Sequence, residues 1–342
     1  MTGPTTSIVV CAYTNERWDD LCEAVGSAAR QQPAPDQVLL VIDHNPELLE
    51  RARRELLTLL PALEVTENTR KKGLSGARNT ALEQVSGDVV VFLDDDANAN
   101  PGWLGHLLTP YADAAVIAVG GSATPRWPGA HGRPVTLPSA DGAGWGELDW
   151  VVGCSYAGQP TTTAAVRNLM GCNMSFRRVV FEQVGGFSED LGRVGKVPLG
   201  CEETELCIRA TNATPGSRII FEPRALVRHH VSEDRLTWAY LRRRCFAEGL
   251  SKAAVSAMVG QDQALSTERG YATRVLPRGV LRELFRAASG RRPGAAASAG
   301  AIVVALTATV LGYVRGRAAR PLVLGTTVPR IADRPAGAEA SR

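Results

Sequence analysis

The sequence predicts an α/β chain built on a mostly parallel, doubly wound sheet, with a helical appendage toward its C-terminal end. Three observations carry this. Short apolar runs alternate with helix-period segments four times in about ninety residues, the rhythm of parallel strands joined by crossover helices. Polar residues (Tyr13, Asp43 and Asp94) stand at the ends of successive runs, where open α/β sheets gather their ligands. Late in the chain, Ala295 to Val314 passes without a charge between basic flanks.

Taken in order, Ser7 to Ala12 (SIVVCA) reads as a buried parallel strand, and Trp18 to Arg30 as a helix broken by Pro33 and Pro35. Gln37 to Ile42 is a second strand ending at Asp43. Glu47 to Leu60 is a helix closed by Pro61, Glu64-Val65 a short strand, Gly76 to Val85 a helix, and Val89 to Leu93 a further strand. Ala114 to Ser122 is apolar and runs into a Gly, Pro and Trp-rich stretch, Gly120 to Ala157, expected as a loop over a site. Arg167 to Arg177 returns to strand-like order, Phe181 to Val184 starts a short helix, and Gly200 to Ala210 carries acids into an amphipathic one.

Composition bounds the function classes. With 44% hydrophobic and 21% charged residues the chain is an ordinary core-forming protein. A net charge of +3 is too small to imply nucleic acid, although the region after Arg224 is basic and suits an anionic surface or ligand. Seven cysteines without a paired framework are expected as free thiols in a reducing compartment. Met1 leads to the first strand without an apolar leader, so the catalytic region is expected to be cytoplasmic.

The run Phe92-Leu93-Asp94-Asp95-Asp96 ends a hydrophobic strand in three adjacent carboxylates. Three like charges sit together cheaply only if a cation joins them. Hard ions such as Mg²⁺ or Mn²⁺ take carboxylate oxygens together with substrate phosphates, so Asp94 and Asp96 are read as the seat of a metal–diphosphate site. An acidic loop or a structural calcium site is the alternative. Ala12, Tyr13 and Glu16, after the first strand, are placed to hold a nucleoside, with the Tyr ring as a base platform and Glu16 as an acceptor for ribose or base groups. Helix caps or turns are the alternative for Asn15 and Asp43. Gly73, Arg78 and Asn79 fall at the helix entry before the acidic strand, where Arg78 suits a diphosphate or holds the carboxylates in place.

Eight segments in order, SIVVCAYTNE, LLVIDHNP, ENTRKKGLSGARNTAL, FLDDDA, GCNMSFRR, GGFSEDLG, GCEETELCIRA and VRHHV, resemble the family 2 glycosyltransferases, inverting enzymes of the GT-A fold that use nucleotide-diphosphate sugars. They span about residues 7 to 232. The resemblance implies that Asp43 accepts a hydrogen bond from a pyrimidine ring, although His44 departs from the usual follower. It makes Asp96 the direct metal ligand, with Asp94 or Asp95 toward the ribose or a metal-bound water, and it places His229, rather than His230, on the metal or near the diphosphate. Inversion needs a base opposite the leaving group, and Glu202-Glu203 stands where the family usually writes Glu-Asp. Glu203 is therefore the expected base with Glu202 beside it, one methylene longer than the usual residue. The acidic first turn of a helix is the structural alternative for this pair.

The resemblance further implies a GT-A catalytic domain over 1–232, with a nucleotide-sugar half to about 122 and an acceptor half beyond it. A helical extension over 233–290, a membrane-associated or spanning helix over 291–320 and a disordered tail over 321–342 complete the expected plan. Arg242, Arg243 and Arg244 fall on a helix of the extension, facing a phosphate or solvent. LTWAYLRRRCFAEGLSKA is similar to a branch of the family that includes glucosyl-dolichyl-phosphate glucuronosyltransferase-type enzymes, which implies a polyprenyl-phosphate-linked saccharide or envelope glycan as acceptor. The expected activity is transfer from a UDP-sugar at the cytoplasmic face of the membrane, peripheral or single-span. A sugar-phosphate nucleotidyltransferase, which would need a Gly-rich phosphate loop that CAYTNERW lacks, and a non-catalytic nucleotide-sugar-binding module are the alternatives.

Overall fold

The computed structural model describes residues 3–129, 132–138, 144–192 and 199–318. The expected tail over 321–342 lies outside them. In chain order the elements are β1 (Thr6–Ala12), α1 (Trp18–Ala29), β2 (Gln37–Ile42), α2 (Pro46–Leu59), β3 (Leu63–Glu67), α3 (Leu74–Leu82), β4 (Val89–Asp94), β5 (Ala97–Ala99), α4 (Trp103–Leu108), β6 (Val116–Arg126), β7 (Ala164–Val166), β8 (Asn173–Arg177), α5 (Arg178–Val184), α6 (Glu202–Ala213) and β9 (Arg218–His230). The helical extension follows as α7 (Trp238–Val259), α8 (Gln261–Ala264), α9 (Ser266–Gly270), α10 (Leu276–Ala288) and α11 (Ala295–Ala318).

Among the described residues, the strands form one sheet in the order β3-β2-β1-β4-β8-β6-β9-β5, with β7 also paired to β9. β3, β2, β1 and β4 are parallel, as the strand–helix alternation predicts. Beyond β4 the sheet is mixed: β8 runs antiparallel to both β4 and β6, and β9 is parallel to β6 but antiparallel to β5 and β7. Among the described residues, a short 3-10 turn (Asp149–Val152) and β7, rather than an α-helix, lie between β6 and β8, and the parallel rhythm stops there.

Strand alternation builds a core on each face. Ile8, Val10 and Ala12 point with Leu40 and Ile42 toward α1, α2 and α4, whereas Val9, Leu39 and Val41 point with Phe92 toward α3, α5 and α6. β2 is buried at every residue, which explains its uninterrupted apolar sequence. α2 starts where Asn45 accepts the Leu48 N–H at 3.0 Å and Pro46 opens the first turn. Its Leu48, Leu49, Ala52 and Leu56 then recur on one buried face.

The stretch expected as a loop from Gly120 is strand as far as Arg126. A glycine is required there by contact. A Cβ on Gly121 would lie 1.9 Å from the Ala225 carbonyl oxygen, so β6 and β9 approach too closely for a side chain, and the register shifts at that point.

The extension has its own core. Leu148, Val151 and Val152 pack with Tyr240 and Leu241 of α7, Leu276 of α10 and Ile302 and Ala305 of α11. α11 is long and apolar enough to cross a membrane, but one side of it is buried against the protein. It crosses α7 in close contact: a Cβ on Gly249 would lie 2.0 Å from the Thr309 oxygen, and one on Gly312 2.0 Å from the Phe246 oxygen. Its other side exposes Val303, Val310, Leu311 and Val314.

Candidate active site

The carboxyl ends of β1, β2 and β4 meet the C-terminal end of β9 around a cleft of about 530 Å³, solvent included. Its walls include Ala12, Tyr13, Asp43, all three aspartates and His229. Ligand atoms of Asp94, Asp96 and His229 all lie within 4.8 Å of one another. His229 Nε2 is 3.2 Å from Asp96 Oδ1, while His229 Nδ1 and Asp95 Oδ2 are buried with no hydrogen-bond partner among the described residues. Two carboxylates, an imidazole and orphaned buried polar atoms fit a divalent ion of the Mg²⁺ or Mn²⁺ kind. His230 turns the other way, toward Asp20 at 3.2 Å, because adjacent residues of a strand face opposite sides.

Two arginines absent from the sequence reading hold this cluster. Arg17, on the turn after Tyr13, places Nη1 2.6 Å from Asp96 and 3.0 Å from Asp95, and Arg235 lies 3.4 Å from Asp96. Burial works against charge on Asp96, but His229, Arg17 and Arg235 outweigh it and hold the carboxyl well below its ordinary range. Asp95 is driven the other way: burial, then the charges of Asp96 and Asp94, push it up to about 7 against the pull of Arg17. Arg17 had a legible signal, a cation four residues after Tyr13; Arg235, 139 residues from Asp96, had none.

Asp43 is fixed by three neighbours. It accepts from Asn68 Nδ2 at 2.7 Å and from the Gly73 N–H at 3.0 Å, and His44 Nδ1 is 2.9 Å away. The residue after Asp43 that departs from the family spelling therefore bonds directly to it. Glu16 is exposed on the turn Asn15–Arg17 and does not line the cleft. Asn79 is spent inside the fold, donating to the Phe187 carbonyl at 2.9 Å and accepting the Phe187 N–H at 2.8 Å.

Arg78 is the joint of the site. Its side chain is 2% exposed, packed over the rings of Phe92 and Phe187. One nitrogen donates to Glu202 at 2.8 Å; the other donates to the Gly171 carbonyl at 2.8 Å and reaches Asp94 at 3.4 Å. It thus ties a carboxylate of the strand-end cluster to the first residue of α6. Glu202 is committed to this pair, whereas the adjacent Glu203, half-buried and about 100° further round the helix, accepts a hydrogen bond from Thr204 Oγ1 at 3.2 Å. Replacing Arg78 by Leu leaves Glu202 buried and unpaired, a loss of about 3–5 kcal/mol that thermal denaturation would detect. Arg78→Lys should recover only part of it, since a single ammonium nitrogen lacks the planar fork whose two separate nitrogens reach Glu202 on one side and Gly171 and Asp94 on the other.

A family model described as glycosyl transferase family 2 matches residues 7–185. The chain belongs to that family. This glycosyltransferase is 33% identical over 256 residues to the glucosyl-dolichyl phosphate glucuronosyltransferase of Haloferax volcanii, a match covering 75% of this chain and 78% of the relative. Among solved structures it resembles the mannosyltransferase PcManGT from Pyrobaculum calidifontis in complex with GDP-Man and Mn²⁺, with a TM-score of 0.57 and 19% identity over 91% of this chain and 88% of that one. It also resembles GalNAc-T7 with UDP, GalNAc and Mn²⁺, with a TM-score of 0.52 and 15% identity, covering 80% and 57% of the two chains. The glycosyltransferase therefore has the GT-A fold expected from its sequence.

Proposed function

We propose that the enzyme transfers a sugar with inversion from a nucleotide-diphosphate sugar, read as a UDP-sugar, to a hydroxyl of a lipid-linked or cell-envelope saccharide. The observation that carries this is the Arg78 bridge, which joins the Asp94, Asp96 and His229 cluster to the helix that presents Glu203. Tyr13 and Asp43 receive the nucleoside on the residues 1–122 side. The acceptor comes from the 123–232 side. Asp94, Asp96 and His229 would hold a divalent ion, which when bound supplies Lewis-acid neutralisation of the departing diphosphate. Glu203 takes the proton of the attacking hydroxyl as that oxygen bonds to the anomeric carbon. The bond from carbon to the diphosphate oxygen breaks with its electron pair, so no covalent enzyme intermediate is needed.

The lipid-linked acceptor rests on the Haloferax volcanii relative, whose name carries a dolichyl phosphate. A membrane surface is supported by the exposed apolar side of α11 beside Arg315 and Arg317. The cytoplasmic face accords with seven free cysteines.

Burial, then the charge of Glu202, pushes Glu203 up to about 8. The folded protein thus keeps a proton that the unfolded chain releases near 4.5, so this group lowers stability as pH rises from about 4.5 to about 8. Transfer should run the opposite way, rising with pH through the same window as the base becomes free. A kcat/KM profile flat from pH 6 to 9 would contradict the assignment.

The donor is tested by thermal shift with UDP-, GDP- and dTDP-sugars, each with and without Mn²⁺, because a ligand that binds only the native state stabilises it. Metal-dependent stabilisation by UDP-sugars is expected. A shift with GDP-sugars alone would reassign the base, and no shift with any of them would overturn the donor reading.

A further inference from the structure

Outside the cleft, the extension carries a chain of half-buried charges that no part of donor binding uses. Arg244 and Glu248 pair on α7 at 2.8 Å, and Lys252, one turn on, is 3.5 Å from Glu248. Lys252 reaches Glu268 of α9 at 2.6 Å, and Glu268 holds Arg167 with two bonds of 2.7 and 2.8 Å. Five groups of alternating sign are thus partly withdrawn from water. Such an arrangement costs desolvation and yields little net stability, so it calls for a reason beyond stability.

The chain ends on the turn that precedes the base. Glu248 Oε1 accepts from the Cys201 thiol at 3.3 Å, and Ser251 Oγ accepts the Gly200 N–H at 3.1 Å. Cys201 sits at φ 71°, ψ 14°, in the left-handed region that non-glycine residues seldom occupy. A residue so placed persists only where its surroundings hold it. On the other side Arg78 clamps Glu202. Glu203 is therefore suspended between two anchors, one in α3 and one in α7.

We propose that Glu248 and Ser251 are positioning residues for the general base, holding the Gly200–Cys201 turn in the left-handed form from which Glu203 projects. This rests on the reading of Glu203 as the base. The helical extension then contributes to the catalytic geometry although neither residue lines the donor cleft. The ionisable groups set around Glu203 are Glu202 and Cys207 on its own helix, Cys201 at the turn, Glu248 and Lys252 on α7, and Arg78 on α3. Of these, Glu248 raises the affinity of Glu203 for its proton and Lys252 lowers it.

The test uses the whole 342-residue chain with Mn²⁺ and the UDP-, GDP- or dTDP-sugar that the thermal-shift panel selects. Glu248→Gln and Ser251→Ala should each lower kcat roughly 10- to 100-fold, the scale of a reacting group misplaced by an ångström, with donor KM unchanged. Glu248→Gln should also move the acid limb of the pH profile to lower pH, because the negative charge that raises the proton affinity of Glu203 is removed, while Ser251→Ala should not. Glu203→Gln run in parallel separates the two ideas. If it turns over like the wild type, the base assignment fails and the positioning role with it. If it is inactive while Glu248→Gln and Ser251→Ala keep wild-type kcat and pH profile, positioning alone is overturned. A proportional loss of kcat and donor affinity with a lowered Tm would reduce both residues to general stability and overturn it as well.

Discussion

Glu203→Gln should lower transfer by roughly 10²- to 10⁴-fold, the contribution of a positioned general base, while leaving nucleotide binding within twofold of the wild type. The amide keeps the size of the carboxyl and its contact with Thr204, so α6 should start as before. What it removes is the acceptor for the hydroxyl proton. Because Glu202 is held by Arg78, it cannot swing over to take the role without breaking a 2.8 Å buried ion pair. Steady-state kinetics combined with calorimetric titration of the nucleotide diphosphate and Mn²⁺ checks both halves. Wild-type turnover in the variant would move the base elsewhere. A Glu203→Asp variant tests reach: it restores the spelling usual in the family but withdraws the carboxyl by one methylene, and activity between wild type and the amide is expected.

Asp96→Ala should act on the donor itself. Asp96 is the residue on which His229, Arg17 and Arg235 converge, and its loss leaves three cationic or cation-binding groups without their shared partner. Removing one carboxylate from a divalent-ion site forfeits about 3 kcal/mol, roughly a hundredfold in affinity for the metal–nucleotide pair. Calorimetry should show nucleotide binding that is strengthened by Mn²⁺ in the wild type and indifferent to it in the variant. If Mn²⁺ strengthens binding equally in both, Asp96 is not a ligand. Asp96→Asn, which keeps the shape, should lose nearly as much, because charge rather than volume holds the ion.

The N-terminal half of the fold was legible because its signals are periodic and local. β2 and β4 are continuous apolar runs, and α2 announces itself with Asn45 and Pro46. β5, at three residues, and β6 beyond Gly120 were hidden, one by brevity and the other because close backbone approach uses the residues that also make loops. In the site, Asp94, Asp96 and His229 could be named from residue type and family spelling. Arg78 could be named as a holder of the carboxylates, but its pairing with Glu202 across 124 residues of chain, and that of Arg17 with Asp96 across 79, could not. Sequence supplies the chemistry of each side chain, but whether an arginine serves a substrate or a neighbouring carboxylate is decided by distant elements folding onto it. Glu16 illustrates the same point: residue type suited a ligand, while the side chain is exposed and does not line the cleft.

The crossing of α7 and α11 at Gly249 and Gly312 bears on how this enzyme can be handled. A natural impulse is to trim the apolar C-terminal helix to obtain a better-behaved protein. Here that cut would strip the cover from α7, expose the groove at Gly249 and leave Tyr240, Leu241 and Leu276 without Ile302 and Ala305. The shortened chain should aggregate or lose turnover rather than gain solubility. Mild detergent or lipid nanodiscs around the intact protein are the preparative route this architecture favours.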